Sequence, residues 1–345
     1  MNNEIYDEIK RRWDGISKPI DGLGDFEDIV CKIGAVQETI TPDITRKALI
    51  VMCADNGIVA EGVSQCGSEV TLQVAKALGR GSSTANTMAL EAGIKVIPVD
   101  IGIDSDESLP GVLDHKIRRG SDNFLLKRAL TEDEVQAAID AGKALVDELA
   151  QKGYNLIATG EMGIGNTTTA TALLCLMTGI GPAIVTGRGA GLDDVGLFNK
   201  IEVIEKAVKL YVRDDTEDKA VLALDYLSAI GGLDIAGLCG VYLGCMQHEI
   251  PVVIDGFISG VAALYADAIS PGCRDYMLPS HSGRETGLIR ALDELSLKPL
   301  IDGNMALGEG TGAIMACKLF DSAINLYLNG ARFEYNGIKE YERFK

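Results

Sequence analysis

The chain has 345 residues, 47% of them apolar, with forty glycines and a formal net charge of −18. The length permits two or three domains, and the composition fits a loop-rich α/β enzyme and excludes a disordered or fibrous chain. The acidity argues against nucleic acid or an anionic membrane surface as partner, since both require basic patches.

Met1 to Arg12 is charged and has no apolar core of the kind a secretory signal requires. No run of the chain reaches the roughly 18 uninterrupted apolar residues of a membrane helix. A soluble, cytoplasmic protein is therefore expected. Residues 1–25 predict a short amphipathic helix through Ile5, Ile9 and Trp13, followed by a Pro/Gly turn, and 26–40 predict a second helix. Ala48 to Ala54 is a continuous apolar run ending in Asp55-Asn56-Gly57, as in a buried parallel strand with polar groups at its C-terminal end. A helix is expected from about Ser68, where Ser68, Thr71 and Gln73 offer caps. A further helix should run from the Gly79–Ser83 break to Glu91, then a strand over 94–99. Residues 103–130 read as a long irregular connection, and Thr131 with its acidic neighbours starts a helix to about Lys152.

A strand over 155–159 leads into Gly160-Glu161-Met162-Gly163-Ile164-Gly165-Asn166-Thr167-Thr168-Thr169-Ala170, and an apolar helix follows. Strand, glycine-rich turn and helix N-terminus together present bare N–H groups and a positive dipole end to an anion, with phosphate the expected ligand. Glu161 within such a turn is better explained by chemistry than by packing. Further on, a short strand is expected at 183–186, helices at about 196–212, 216–230 and 233–247, a strand over 250–254 and a helix at 257–269. A last strand should cover 276–281, followed by a helix from Glu285, a loop over 302–312 and a final helix to Asn329. The alternation predicts a doubly wound, mostly parallel Rossmann-like sheet. The expected division is an α/β catalytic domain over 26–320 and a small helical subdomain from the chain ends, 1–25 and 321–345.

Eight cysteines form no C-x-x-C pair and only three histidines are present, so zinc, other metals and redox dithiols are not expected. The cysteines read as small buried hydrophobes in a reducing compartment. Glu309, between glycines in Leu307-Gly308-Glu309-Gly310-Thr311-Gly312-Ala313, is either a surface-loop residue or a base held in a cleft. His281 at a strand end reads as a structural histidine before a catalytic one.

Four segments in one order, the glycine-rich turn at 160–168, Gly187-Arg188-Gly189-Ala190-Gly191-Leu192-Asp193-Asp194 with Lys200 after it, Asp255-Gly256-Phe257-Ile258-Ser259-Gly260, and 307–313, closely resemble the nicotinate-nucleotide–dimethylbenzimidazole phosphoribosyltransferases of cobalamin lower-ligand synthesis. The resemblance runs from Ala54 to about Ala323. It implies transfer of phosphoribose from nicotinate mononucleotide to an aromatic base, with inversion at C1′, by a homodimer without a cofactor. Glu309 matches the family's general base, and Glu161 is assigned to stabilising positive charge at C1′. Gly165, Asn166, Thr167 and Thr168 would hold the 5′-phosphate, with Arg188, Gly189, Asp193, Asp194 and Lys200 along the ribose-phosphate side. For Arg188 and the two aspartates a helix-capping salt bridge is the structural alternative, and for Lys200 a solvated helix face. Ser64, Gln73 and Leu307 match the acceptor-base positions.

The chain departs from the family pattern at Asn56, where histidine is usual, at Gly67 in place of proline, at 79–83, and after His281, where a second histidine is missing. These departures are grouped with the acceptor side, and benzimidazoles, purines and phenols all stay open as acceptors. Two other readings compete: an NAD-dependent oxidoreductase, weakened by the lack of G-x-G-x-x-G after the first strand, and a non-catalytic nucleotide-binding protein, weakened by the two glutamates.

Overall fold

A computed structural model describes residues 1–213 and 218–343. In chain order, α1 (Asn3–Asp14) and α2 (Asp25–Val36) precede β1 (Lys47–Ala54), and α3 (Glu69–Gly79) and α4 (Thr84–Ala92) lead to β2 (Ile94–Gly102). The two-residue β3 (Leu113–Asp114) lies in the connection to α5 (Glu132–Gln151), and β4 (Leu156–Met162) runs into α6 (Asn166–Thr178). Then come α7 (Pro182–Val185), α8 (Asp194–Tyr211), α9 (Lys219–Ile230), α10 (Leu233–Gln247), β5 (Val252–Ile254) and α11 (Phe257–Ile269). β6 (Met277–Pro279), β7 (His281–Gly283), α12 (Thr286–Glu294), β8 (Ile301–Met305), α13 (Thr311–Asn329) and α14 (Phe333–Asn336) complete the order.

Six strands form one sheet in the order β3-β2-β1-β4-β5-β6, with every pairing parallel. β1 is buried along its whole length. Its side chains alternate between two layers: Ala48, Ile50 and Met52 enter the core shared with α5, α6, α10 and α11, and Leu49, Val51 and Cys53 enter the core shared with α1, α2, α4 and α13. Because β2 and β4 flank β1 on opposite sides, the chain reverses direction across the sheet between β1 and β4. At such a switch point the loops after the strand ends diverge and leave a crevice.

The capping box that starts α5 forms as the sequence predicts, with Thr131 Oγ1 accepting from Glu134 N–H and Glu134 Oε2 from Thr131 N–H. α10 lies against α5 at backbone distance: a methyl group on Gly240 would come within 2.0 Å of the Ile139 carbonyl oxygen. The chain ends meet on the other face. The Trp13 and Tyr327 rings lie 5.2 Å apart, Ile16 pairs with Arg332, and Arg343 binds Asp14 and Asp21.

Three expected elements are corrected. Residues 183–186 are not a strand: the segment forms α7, started by Pro182 at its first position, and β5 pairs directly with β4. The strand expected over 276–281 is split. β6 stops at Pro279, Ser280 Oγ donates to the Asp255 carbonyl, and His281–Gly283 pairs instead with β8, which occupies part of the loop expected over 302–312. The helix expected at 216–230 begins at Lys219 behind an Asp218 cap; residues 216 and 217 lie outside the described residues, as do 344 and 345 of the terminal unit.

Candidate active site

The crevice opens at the C-terminal ends of β4 and β5. It is lined by the β4–α6 turn, by Asp255 to Ser259, by His281 and Glu285, and by Met305 to Glu309. Among the described residues no side chain caps α6, so its N-terminal end, with Asn166 and Thr167, faces the cleft. The turn is held from outside by Thr71 Oγ1 of α3, which accepts from the Ile164 N–H at 3.1 Å. Lys200 is fully buried although it lies on α8, and its Nζ donates to Thr167 Oγ1 at 2.8 Å. This overturns a solvated face for Lys200. Burial pushes its amine down to about 8, with Glu285 opposing. An amine held in this way beside a helix N-terminus favours a phosphate.

Beside this turn the cleft is acidic. Glu161, at the end of β4, is buried, and burial together with Asp234, Asp255 and Glu309 pushes its carboxyl up to about 8 against the hydrogen bond from Asn166. Glu309 sits at φ +57 between Gly308 at +86 and Gly310 at +83. Three consecutive left-handed residues make a turn that glutamate adopts only when the surroundings enforce it. Asp255 enforces it: its two carboxyl oxygens accept from Gly310 N–H at 3.1 Å and Ala313 N–H at 3.0 Å, tying the end of β5 to the start of α13. Glu309 Oε2 in turn accepts from Ala85 N–H at the start of α4, at 3.4 Å. His281 Nδ1 lies 2.9 Å from Ser280 Oγ, and burial pushes the imidazole down while Asp255 opposes it.

Of the residues singled out from the sequence, Glu161, Asn166, Thr167, Gly189, Leu307 and Glu309 line the cleft together, with Lys200 directly behind Thr167. Gly165 is the N-cap position of α6, and Thr168 is buried in its first turn. Arg188 bonds the Leu192 carbonyl at 2.9 Å and pairs with Asp194, while Asp193 caps α8 through Gly196 N–H at 2.8 Å. These three side chains are therefore engaged in helix-start contacts outside the cleft lining. Ser64 accepts from Cys66 N–H, Gln73 is exposed on α3, and neither lines the cleft. Asn56, grouped with the acceptor side from the sequence, is buried behind α6, where its Oδ1 accepts from Thr169 Oγ1 at 2.9 Å.

Sequence reasoning gave no role to Asp234 or Glu285 and saw Asp255 at a strand end and in one of the four motif segments, without a role of its own. Asp234 carries a signal in hindsight: it is the one charged residue of an otherwise uncharged helix, Leu233–Gln247.

The family model for phosphoribosyltransferases matches residues 1–338. The chain belongs to this family. It is 40% identical over 342 residues to the nicotinate-nucleotide–dimethylbenzimidazole phosphoribosyltransferase of Acetivibrio thermocellus, covering 99% of this chain and 96% of that protein. It is 40% identical over 345 residues to the enzyme of the same name from Clostridium acetobutylicum, covering 100% and 97%. The crystal structure of CobT from Thermus thermophilus superimposes with a TM-score of 0.91 at 34% identity, covering 98% of this chain and all of that one. Membership makes the protein a transferase of phosphoribosyl groups and leaves the oxidoreductase and non-catalytic readings without support. Among the described residues no helix is long and apolar enough to cross a membrane.

Proposed function

We propose that this phosphoribosyltransferase takes nicotinate mononucleotide as donor and an aromatic base as acceptor, releasing nicotinate and an α-riboside 5′-phosphate for a cobamide lower ligand. The observation that carries the reading is the meeting of an uncapped helix N-terminus and several carboxyls in one cleft. A helix N-terminus without a side-chain cap, backed by Lys200, suits a phosphate, and Glu161, Asp255 and Glu309 suit the cationic pyridinium and the positive charge that grows at C1′. The acceptor nitrogen attacks C1′ on the face opposite nicotinate. The pair of electrons in the broken C1′–N bond returns to the pyridine nitrogen, and nicotinate leaves without needing a proton. Glu309 takes the acceptor N–H proton as the new bond forms.

Gly165, Asn166, Thr167, Thr168, Gly189 and Lys200 are proposed for the phosphate side, with Arg188, Asp193 and Asp194 shaping the loop that carries Gly189. Leu307, with the neighbouring Met305, Ala306 and Phe257, is proposed for the acceptor side. Ser64 and Gln73 stay in the proposal for the acceptor side, from the loop before α3 and from α3, although both lie outside the cleft lining. A homodimer and a helical unit of 1–25 with 321–345 are part of this reading.

The test is chromatography of products after incubation with nicotinate mononucleotide and, separately, dimethylbenzimidazole, adenine, phenol and p-cresol. Acceptor-dependent nicotinate release is expected, and its absence with every acceptor would sink the donor assignment. Glu309→Gln should retain donor binding by calorimetry and lose about 10²–10⁴-fold in turnover. An unchanged rate would remove Glu309 from the mechanism.

A further inference from the structure

Behind the cleft wall lies a second carboxyl that does not line the cleft. Asp234, in the first turn of α10, has no exposed surface. The Asn166 Nδ2 group joins the two acids: it donates to Asp234 Oδ2 at 3.0 Å and to Glu161 Oε2. Asn166 is itself buried and belongs to the α6 N-terminus, so one carboxamide connects three elements, β4, α6 and α10.

We infer that Asp234 is a positioning residue for Glu161: through Asn166 it fixes the Glu161 carboxyl on the cleft wall, and by its charge it sets when that carboxyl ionises. The inference rests on the transferase reading for its catalytic meaning, though not for its physical content. Two buried carboxyls that share one amide nitrogen cannot both ionise cheaply. Asp234 ionises first. It lies at the positive end of α10, Asn166 donates to it, and its carboxyl, though pushed up to about 6 by burial, lies below that of Glu161. The other groups facing Glu161 are Asp255 from the end of β5, Glu309 from the turn before α13, and the Cys53 thiol from β1; His281 of β7 acts through Asp255. None of these shares a hydrogen-bond donor with Glu161 in the way Asp234 does among the described residues. The consequence is a Glu161 carboxyl that keeps its proton while the cleft is empty. A cation placed before Glu161 draws the proton off, and the carboxylate forms where positive charge must be stabilised.

The experiment follows the Glu161 carboxyl carbon by ¹³C NMR in the full-length protein labelled in glutamate, with the resonance assigned from Glu161→Gln. In the wild type the curve should show its main step near pH 8 and a smaller inflection near pH 6, where Asp234 ionises. In Asp234→Asn the main step should move down by about one pH unit or more. A single-step wild-type curve, or an unmoved step in the variant, overturns the inference, and the first of these needs no variant to fold. In the activity assay the rising alkaline limb of nicotinate release should move down by the same interval in Asp234→Asn. A uniform loss at every pH would make Asp234 merely structural and also overturns it. Failure of the wild type to release nicotinate with any acceptor would count against the donor reading, while the titration still judges Asp234.

Discussion

A glutamate whose carboxyl ionises only near pH 8 couples the fold to pH as well as to substrate. In the unfolded chain Glu161 releases its proton near its ordinary value of 4.5, whereas the folded protein keeps it to about 8. The stabilisation from the bound proton is therefore complete below pH 4.5 and is lost as pH rises towards 8. Glu161→Gln, which carries a permanently neutral group of the same shape, should match the wild type in thermal stability near pH 5. It should exceed the wild type at pH 9 by on the order of a few kcal/mol. Equal melting at both pH values would mean that Glu161 is solvated in the folded protein. Glu309 presents a different residue-scale problem, a left-handed glutamate held by Asp255 from another strand. Its motif was readable because two glycines flank it. The partner that enforces the turn was not, because Asp255 lies 55 residues away from Gly310 in the chain.

At the scale of elements, long segments of clear period were legible. The first helix, the buried β1, the capped α5 and α6 appear where apolar spacing and caps placed them, and β4 runs on through Met162, so that Glu161 lies in the strand and not in the expected turn. Short elements were not. Three apolar residues after a proline satisfy a strand or a helical turn equally, and α7 became a turn because no sheet position was open beside β4. The pairing of β7 with β8 depends on tertiary contacts at Ser280, which local sequence does not carry. α10 is buried almost throughout, so its fit against α5 depends on small residues. Gly240→Ala would push a methyl group into the Ile139 carbonyl and should cost about 1–3 kcal/mol, read as a lower urea midpoint. A midpoint equal to wild type would show that the two helices can separate without loss.

For the whole molecule, a charge of −18 acts on any anionic substrate before it reaches the cleft. Nicotinate mononucleotide carries more negative charge on its phosphate and carboxylate than its pyridinium offsets. Its capture should therefore be slowed by long-range repulsion, and salt should relieve that repulsion. Raising ionic strength from about 10 to about 150 mM is expected to increase kcat/KM by roughly two- to five-fold. A fall over that range would mean that a local positive field at the α6 terminus outweighs the net charge. The meeting of both chain ends on one face of the sheet, through Trp13, Tyr327 and Arg343, is also a property of the whole chain.

The amino-acid sequence alone determined the fold class, the glycine-rich segment before α6 and the family, and it pointed to two glutamates that share the cleft. Each of these is written in contiguous residues, as apolar runs, glycine spacings and ordered motifs that act over a few turns of chain. Tertiary structure alone decided which side chains share the cleft. It buried Lys200 against Thr167, turned Arg188, Asp193 and Asp194 towards helix starts, and set Asp234 behind Glu161. The physical reason is the parallel sheet: it gathers loops from strands far apart in the chain at one edge, where burial and neighbouring charge, which sequence spacing does not encode, set the chemistry of each carboxyl.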